Sequence, residues 1–293
     1  MRKSGLSVVL ILIAGILWGC IGIFVRTLNS WGITSMEIVE LRAIVTAVCM
    51  LLVLLIIDRK SLKIRLKDIW CFIGTGIVSI VFFNFCYFKA IELASMSVAA
   101  VLLYTAPCIV MVLSFFLFKE KFNTRKVIAL IMTFIGCCLV TGIGEGTVVS
   151  ASGILVGLGA GLGYALYSIF SRYAIERGYG SFTITFYTFL IAGISSAFIT
   201  DTPRIVSVMT SSTSHLLVSV GFGIISTVLP YLCYTLGLKG VENGRASIIA
   251  SIEPVTATVV GMMFFNEAVT VTGALGVIVV ISALVICNTG KKK

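Results

Sequence analysis

Four ionisable side chains well inside long apolar runs of this sequence are the first candidates for chemistry: Glu37, Glu40, Arg42 and Glu253. A charge at the centre of a bilayer costs about 2.5–3.5 kcal/mol on insertion scales, so residues of this kind line a pathway or pair with one another. Glu253 precedes Pro254, whose ring removes a backbone donor and frees the carbonyl of Ala250. A carboxyl beside an opened helix turn can hold an ammonium group or exchange a proton. It can equally repair the freed carbonyl or pair with Arg42. Glu40 and Arg42 are two residues apart and so face different sides of a helix. Arg42 fits a structural or gating role, or the binding of a carboxylate.

Two of the four prolines, Pro107 and Pro254, stand at matching places in the two halves of the chain and predict paired helix breaks near the middle of the bilayer. Close to these breaks, or on the first helix of each half, Trp18, Tyr104, Tyr164, Tyr167 and Tyr231 can wall a small organic solute. The bland alternative is packing. Gly15 and Gly19, and Gly153, Gly157 and Gly161, form small-residue stripes that let helix backbones approach. Glu120 and Glu267 are expected to cap or salt-bridge at the membrane surface. The single histidine, His215, has no Asp or Cys partner pattern, and neither a metal site nor a cofactor is implied.

The elements that must position these residues are membrane helices. The 293 residues are 59% hydrophobic and only 12% charged, about half the charged share of a soluble chain. Apolar runs at 6–27, 34–57, 69–91, 95–118, 126–143, 151–171, 182–200, 215–238, 245–265 and 270–288 are each long enough to span. They do not alternate as transmembrane strands do. The expected fold is an all-α integral membrane bundle of ten transmembrane helices. The net charge of +10 sits in short loops, which reads as topology rather than nucleic-acid binding. Arg59, Lys60, Lys63, Arg65, Lys67, Lys119, Lys121, Arg125, Lys126 and the terminal Arg2, Lys3, Lys291, Lys292 and Lys293 fall on one side. Excess Lys and Arg mark the cytoplasmic side, which predicts both termini in the cytoplasm of a plasma or inner membrane.

The chain also repeats itself. Ala14, Gly15, Ile23, Phe24 and Arg26 match Ala160, Gly161, Ile169, Phe170 and Arg172 at an offset of 146, and Trp18 matches Tyr164. Cys86, Tyr87, Pro107, Phe118 and Glu120 match Cys233, Tyr234, Pro254, Phe265 and Glu267 at an offset of 147. Two repeats of five helices, 1–146 and 147–293, joined through Gly142, Gly144 and Gly146, must insert in opposite directions because five is odd.

Several stretches carry a resemblance: Gly15 to Gly19, Glu40-Leu41-Arg42, Tyr104 to Pro107 with Lys119-Glu120, and Ile252-Glu253-Pro254 with Asn266-Glu267. In their order and duplication they resemble the ten-helix EamA-type permeases of the drug/metabolite transporter superfamily, over nearly the whole chain. The resemblance implies transport of small metabolites, commonly export of amino acids or related compounds. It leaves open a multidrug or organic-cation efflux permease.

Other classes fit poorly. A lipid-acting enzyme needs clustered His, Asp or Glu at one membrane face, and Asp58, Asp68 and Asp201 are scattered. A channel needs a ring of charges or a carbonyl filter. No Gly-x-x-x-x-Gly-Lys-Ser/Thr stretch provides for ATP. The expected partners are therefore a small-molecule substrate, the lipid bilayer and, if Glu253 or Glu40 titrates, protons.

Overall fold

The structure is a computed structural model. It describes residues 2–142, 150–268 and 270–289, with side chains from Gly5 onward. Gly144, Gly146 and the terminal lysines lie outside the described residues. Among the described residues, nine helices are long and apolar enough to cross a membrane: α1 Gly5–Ser30, α2 Ser35–Ile57, α3 Leu66–Leu93, α4 Met96–Phe118, α5 Thr124–Thr141, α6 Ala151–Glu176, α8 Thr213–Leu238, α9 Asn243–Phe265 and α10 Val271–Asn288. Between α6 and α8 lies α7, Ser181–Ser196, an apolar helix shorter than the rest. The run expected to span 182–200 therefore stops early. A short helix, Thr202–Thr210, opened by the Asp201 cap, takes up the connection.

Helix ends follow the local sequence. Thr34 and Glu37 form a reciprocal capping box at the start of α2. Ser150 and Thr270 accept the Gly153 and Gly273 N–H groups at the starts of α6 and α10. The Pro107 and Pro254 sites each follow a two-residue interruption of the α-helical bonding within their helix. α4 pauses at Tyr104–Thr105 and restarts at Ala106, and α9 pauses at Ser251–Ile252 and restarts at Glu253. Each proline is thus the second residue of a restarted helix, where its missing N–H costs nothing.

The two halves are intertwined rather than side by side. α1 packs along α9: a Cβ on Gly15 would stand 2.8 Å from the Ala250 carbonyl oxygen, and one on Gly19 2.7 Å from that of Glu253. α6 packs the same way on α4, where a Cβ on Gly161 would stand 2.8 Å from the Leu102 carbonyl oxygen. So the first helix of each half lies against the broken helix of the other. The small-residue stripes make this approach possible.

α3 and α8 also correspond. Each carries a π-helical stretch, Gly74–Val81 and Ile224–Val228, and the buried Ser79 and Ser226 occupy equivalent places at the 147 offset. Such stretches tend to occur at functional sites.

Candidate functional site

A cavity of about 670 Å³ enters between α1, α2, α3 and α4. Its upper wall comes from Val25 and Asn29 of α1, Thr34 and Met36 of α2, Glu92 of α3 and Met96 of α4. These residues flank the α1–α2 and α3–α4 turns, so the cavity opens on the face opposite the N-terminus. It reaches inward to Arg42, Asn84, Tyr87, Tyr104, Tyr164, Tyr231 and Glu253. The break before Glu253 places that carboxyl at the cavity's inner end, where the Tyr164 hydroxyl donates to Glu253 Oε2 at 3.0 Å.

Arg42 is 7% exposed, and its Nε and Nη2 have no hydrogen-bond partner among the described residues. Glu253 is not its ion-pair partner among the described residues. Leaving a buried guanidinium unpaired is costly, and its planar fork has the geometry to donate two hydrogen bonds to a carboxylate. The site thus offers a cationic fork and a carboxyl within one apolar enclosure.

The floor is aromatic. Trp18 stands edge-on to Tyr231, ring centroids 5.2 Å apart, and tilted against Tyr234 at 5.4 Å. Tyr167 meets Tyr231 edge-on at 4.9 Å, and the hydroxyls of Ser168 and Tyr234 bond at 2.7 Å. Behind this layer lies a small space of about 20 Å³, lined in part by Ser79, Tyr167 and Ser168. The cavity is therefore shut toward the chain-end face.

Of the residues singled out in the sequence, Glu253, Arg42, Trp18, Tyr104, Tyr164 and Tyr231 share the cavity wall. Tyr167 lies in the floor behind it. Glu40 does not line the cavity: it is fully buried and accepts from the hydroxyls of Thr200 and of Thr202, the latter at 2.5 Å. The two-residue spacing from Arg42 turned it toward the chain after α7. Pro107 and Pro254 shape the wall from behind without lining it. His215 stacks on the Trp31 ring at 3.9 Å, is tied to Ser211 at 2.7 Å and does not line the cavity. Asn84 and Tyr87 line the site although neither drew attention as a site residue; the match of Tyr87 to Tyr234 was the available signal.

Glu120 and Glu267 act at opposite faces. Glu120 accepts the Asn243 N–H at 2.7 Å and the Gly244 N–H at 3.1 Å, capping the start of α9. Glu267 forms an ion pair with Arg26.

An apolar helical bundle of two interlocked inverted repeats, hollow at the centre and open on one face, defines a multi-pass membrane transporter. The chain belongs to the EamA-like transporter family, whose pattern matches it twice, at residues 5–142 and 151–289. It is similar to an uncharacterized transporter of Archaeoglobus fulgidus, 32% identical over 209 residues covering 70% of this chain and 73% of that protein. It is also similar to the uncharacterized transporter YwfM of Bacillus subtilis, 24% identical over 293 residues and covering 99% and 96% of the two chains. A solved crystal structure at 17% identity superimposes with a TM-score of 0.79 over 96% of each chain, which shows a shared fold.

Proposed function

We propose that this transporter moves a small zwitterion, an amino acid or a related compound, by alternating access, with export as the net direction. One observation carries the substrate class: the unpartnered Arg42 guanidinium and the Glu253 carboxyl face the same cavity. Arg42 receives the carboxylate in a bidentate fork, and Glu253 receives the ammonium. The aromatic wall encloses the rest of the solute.

The organic-cation reading is favoured by Glu253 and the aromatic rings, but the unpaired guanidinium repels a monovalent cation. The zwitterion satisfies both charges. Export rests on the family resemblance. The loop charges support a cytoplasmic placement of both termini in the cell membrane, which makes the open face the outer one. The halves 1–146 and 147–293 are the moving units, and Glu253 is the candidate proton carrier.

A thermal-shift series with amino acids, amines, carboxylates and nucleosides tests the class, and counterflow in proteoliposomes tests the mode. Stabilisation by amino acids and saturable counterflow are expected. Stabilisation by amines alone would replace the zwitterion with a cation, and an unsaturable electrodiffusive current would overturn the transporter cycle.

A further inference from the structure

The two broken helices begin differently, and the difference follows which face is closed. On the closed face the first turn of α9 is gripped by Glu120 of the opposite repeat and by Arg172 of its own repeat. Glu120 takes the Asn243 and Gly244 N–H groups. Arg172 of α6 donates to Asn243 Oδ1 at 2.9 Å and to the Val241 carbonyl at 2.5 Å. Glu120 and Arg172 therefore meet only through α9.

On the open face the equivalent residues are Glu267 and Arg26, and they pair with each other directly. The equivalents of Val241, Asn243 and Gly244 at the 147 offset are Ala94, Met96 and Ser97. Met96 sits at the cavity mouth, 68% exposed. The N–H groups of Met96 and Ser97 are the first two of α4 and have no partner within that helix. Its cap, Ser95, serves only the Val98 N–H, at 3.2 Å.

Both carboxylates are aimed by the same device. Lys119 and Asn266, each the residue before its glutamate, are the only non-glycine residues with positive φ among the described residues, at 55° and 52°. Both are left-handed C-caps that end their helices, a conformation that Asn adopts readily and Lys seldom. Its recurrence gives both glutamates the same exit from their helices, with the Glu120 and Glu267 N–H groups donating to the Ser114 and Gly261 carbonyls.

We infer that Glu120 and Glu267 are exchange latches of the transport cycle. Each grips the first turn of the opposite repeat's broken helix when its own face is closed, and pairs with its arginine when that face is open. In the state open to the chain-end face, Glu267 takes the Met96 and Ser97 N–H groups and Arg26 takes the Ala94 carbonyl. Glu120 then pairs with Arg172.

This inference rests on the alternating-access reading but requires no knowledge of the substrate. Hydrogen exchange measured by mass spectrometry on the whole protein tests it, following the first turns of α4 and α9. In Glu120→Ala, exchange in the α9 turn should rise about tenfold, the factor for one lost charge-assisted hydrogen bond, while the α4 turn becomes slower. In Glu267→Ala the α9 turn should become slower, because the state opposing it has lost its latch. If Glu267→Ala leaves the α9 turn unchanged, Glu267 is a static staple and the inference falls. Glu120→Gln and Glu267→Gln, which keep side-chain volume, serve the same comparison if the alanine variants do not fold. Unchanged cross-effects in these variants overturn the inference as well. Transport of a zwitterion with no such cross-effect would reject the latch alone. The cross-effect without zwitterion transport would reject only the substrate class.

Discussion

Tyr164 Oη lies 3.0 Å from Glu253 Oε2, joining the first helix of the second repeat to the restart of α9. This bond holds the carboxyl toward the cavity rather than toward the backbone break behind it. Replacing Glu253 with Gln keeps the shape and removes the charge. Ammonium-bearing substrates should bind at least about tenfold more weakly, and the pH dependence of transport should flatten. Unchanged uptake across a pH series would make Glu253 a structural residue.

Arg42 predicts effects of opposite sign on binding and stability. Arg42→Met removes a buried charge with unpartnered nitrogens, so the protein should melt no lower than the parent. Protection by substrates bearing a carboxylate should disappear. A steep fall in melting temperature would place Arg42 in the scaffold instead.

The interlocking of the repeats is open to a small perturbation. Gly15→Ala puts a methyl against the Ala250 carbonyl and Ile252. Overpacking of this kind costs about 1–3 kcal/mol. Gly5→Ala, where nothing lies within 4 Å of the added carbon, is the control and should leave the melting temperature unchanged or raised.

At the open face, Arg204 donates to both carboxylate oxygens of the buried Glu37, at 2.5 and 2.7 Å, and to the Gly32 carbonyl at 2.6 Å. The bond it donates to the Glu37 carboxylate raises the Arg204 guanidinium above its ordinary value. A raised basic group contributes its stability at all lower pH and loses it only as pH climbs through the raised value. The Arg204 side of the pair should therefore not titrate between pH 5 and pH 9. Arg204→Ala and Glu37→Gln should each lower the melting temperature, and the double variant should melt no lower than the worse single. Additive losses would mean that the two residues act separately.

Hydropathy made the helices legible because a bilayer leaves the chain no other way to pair its backbone. The repeat was legible because both prolines and both glutamates recur at one spacing. α7 was harder, since the apolar run continues past Ser196 into residues that connect rather than span. The place of Glu40 off the cavity was not legible for a geometric reason: spacing within a helix shows that two side chains diverge, not which of them meets the cavity. The π-helical stretches of α3 and α8 leave no clear sequence signature, because they depend on what packs beside them. Asn84 and Tyr87 entered the site from the helix that carries one.

The contact of α1 with α9 also bears on how the protein is made. The Gly15 and Gly19 groove stays unfilled through the insertion of seven intervening helices, and the start of α9 is capped by Glu120 from the turn after α4. Neither repeat can therefore complete its packing as an independent unit. The early helices must wait in the membrane as a loose partial bundle, and tight assembly is deferred until nearly the whole polypeptide has been inserted.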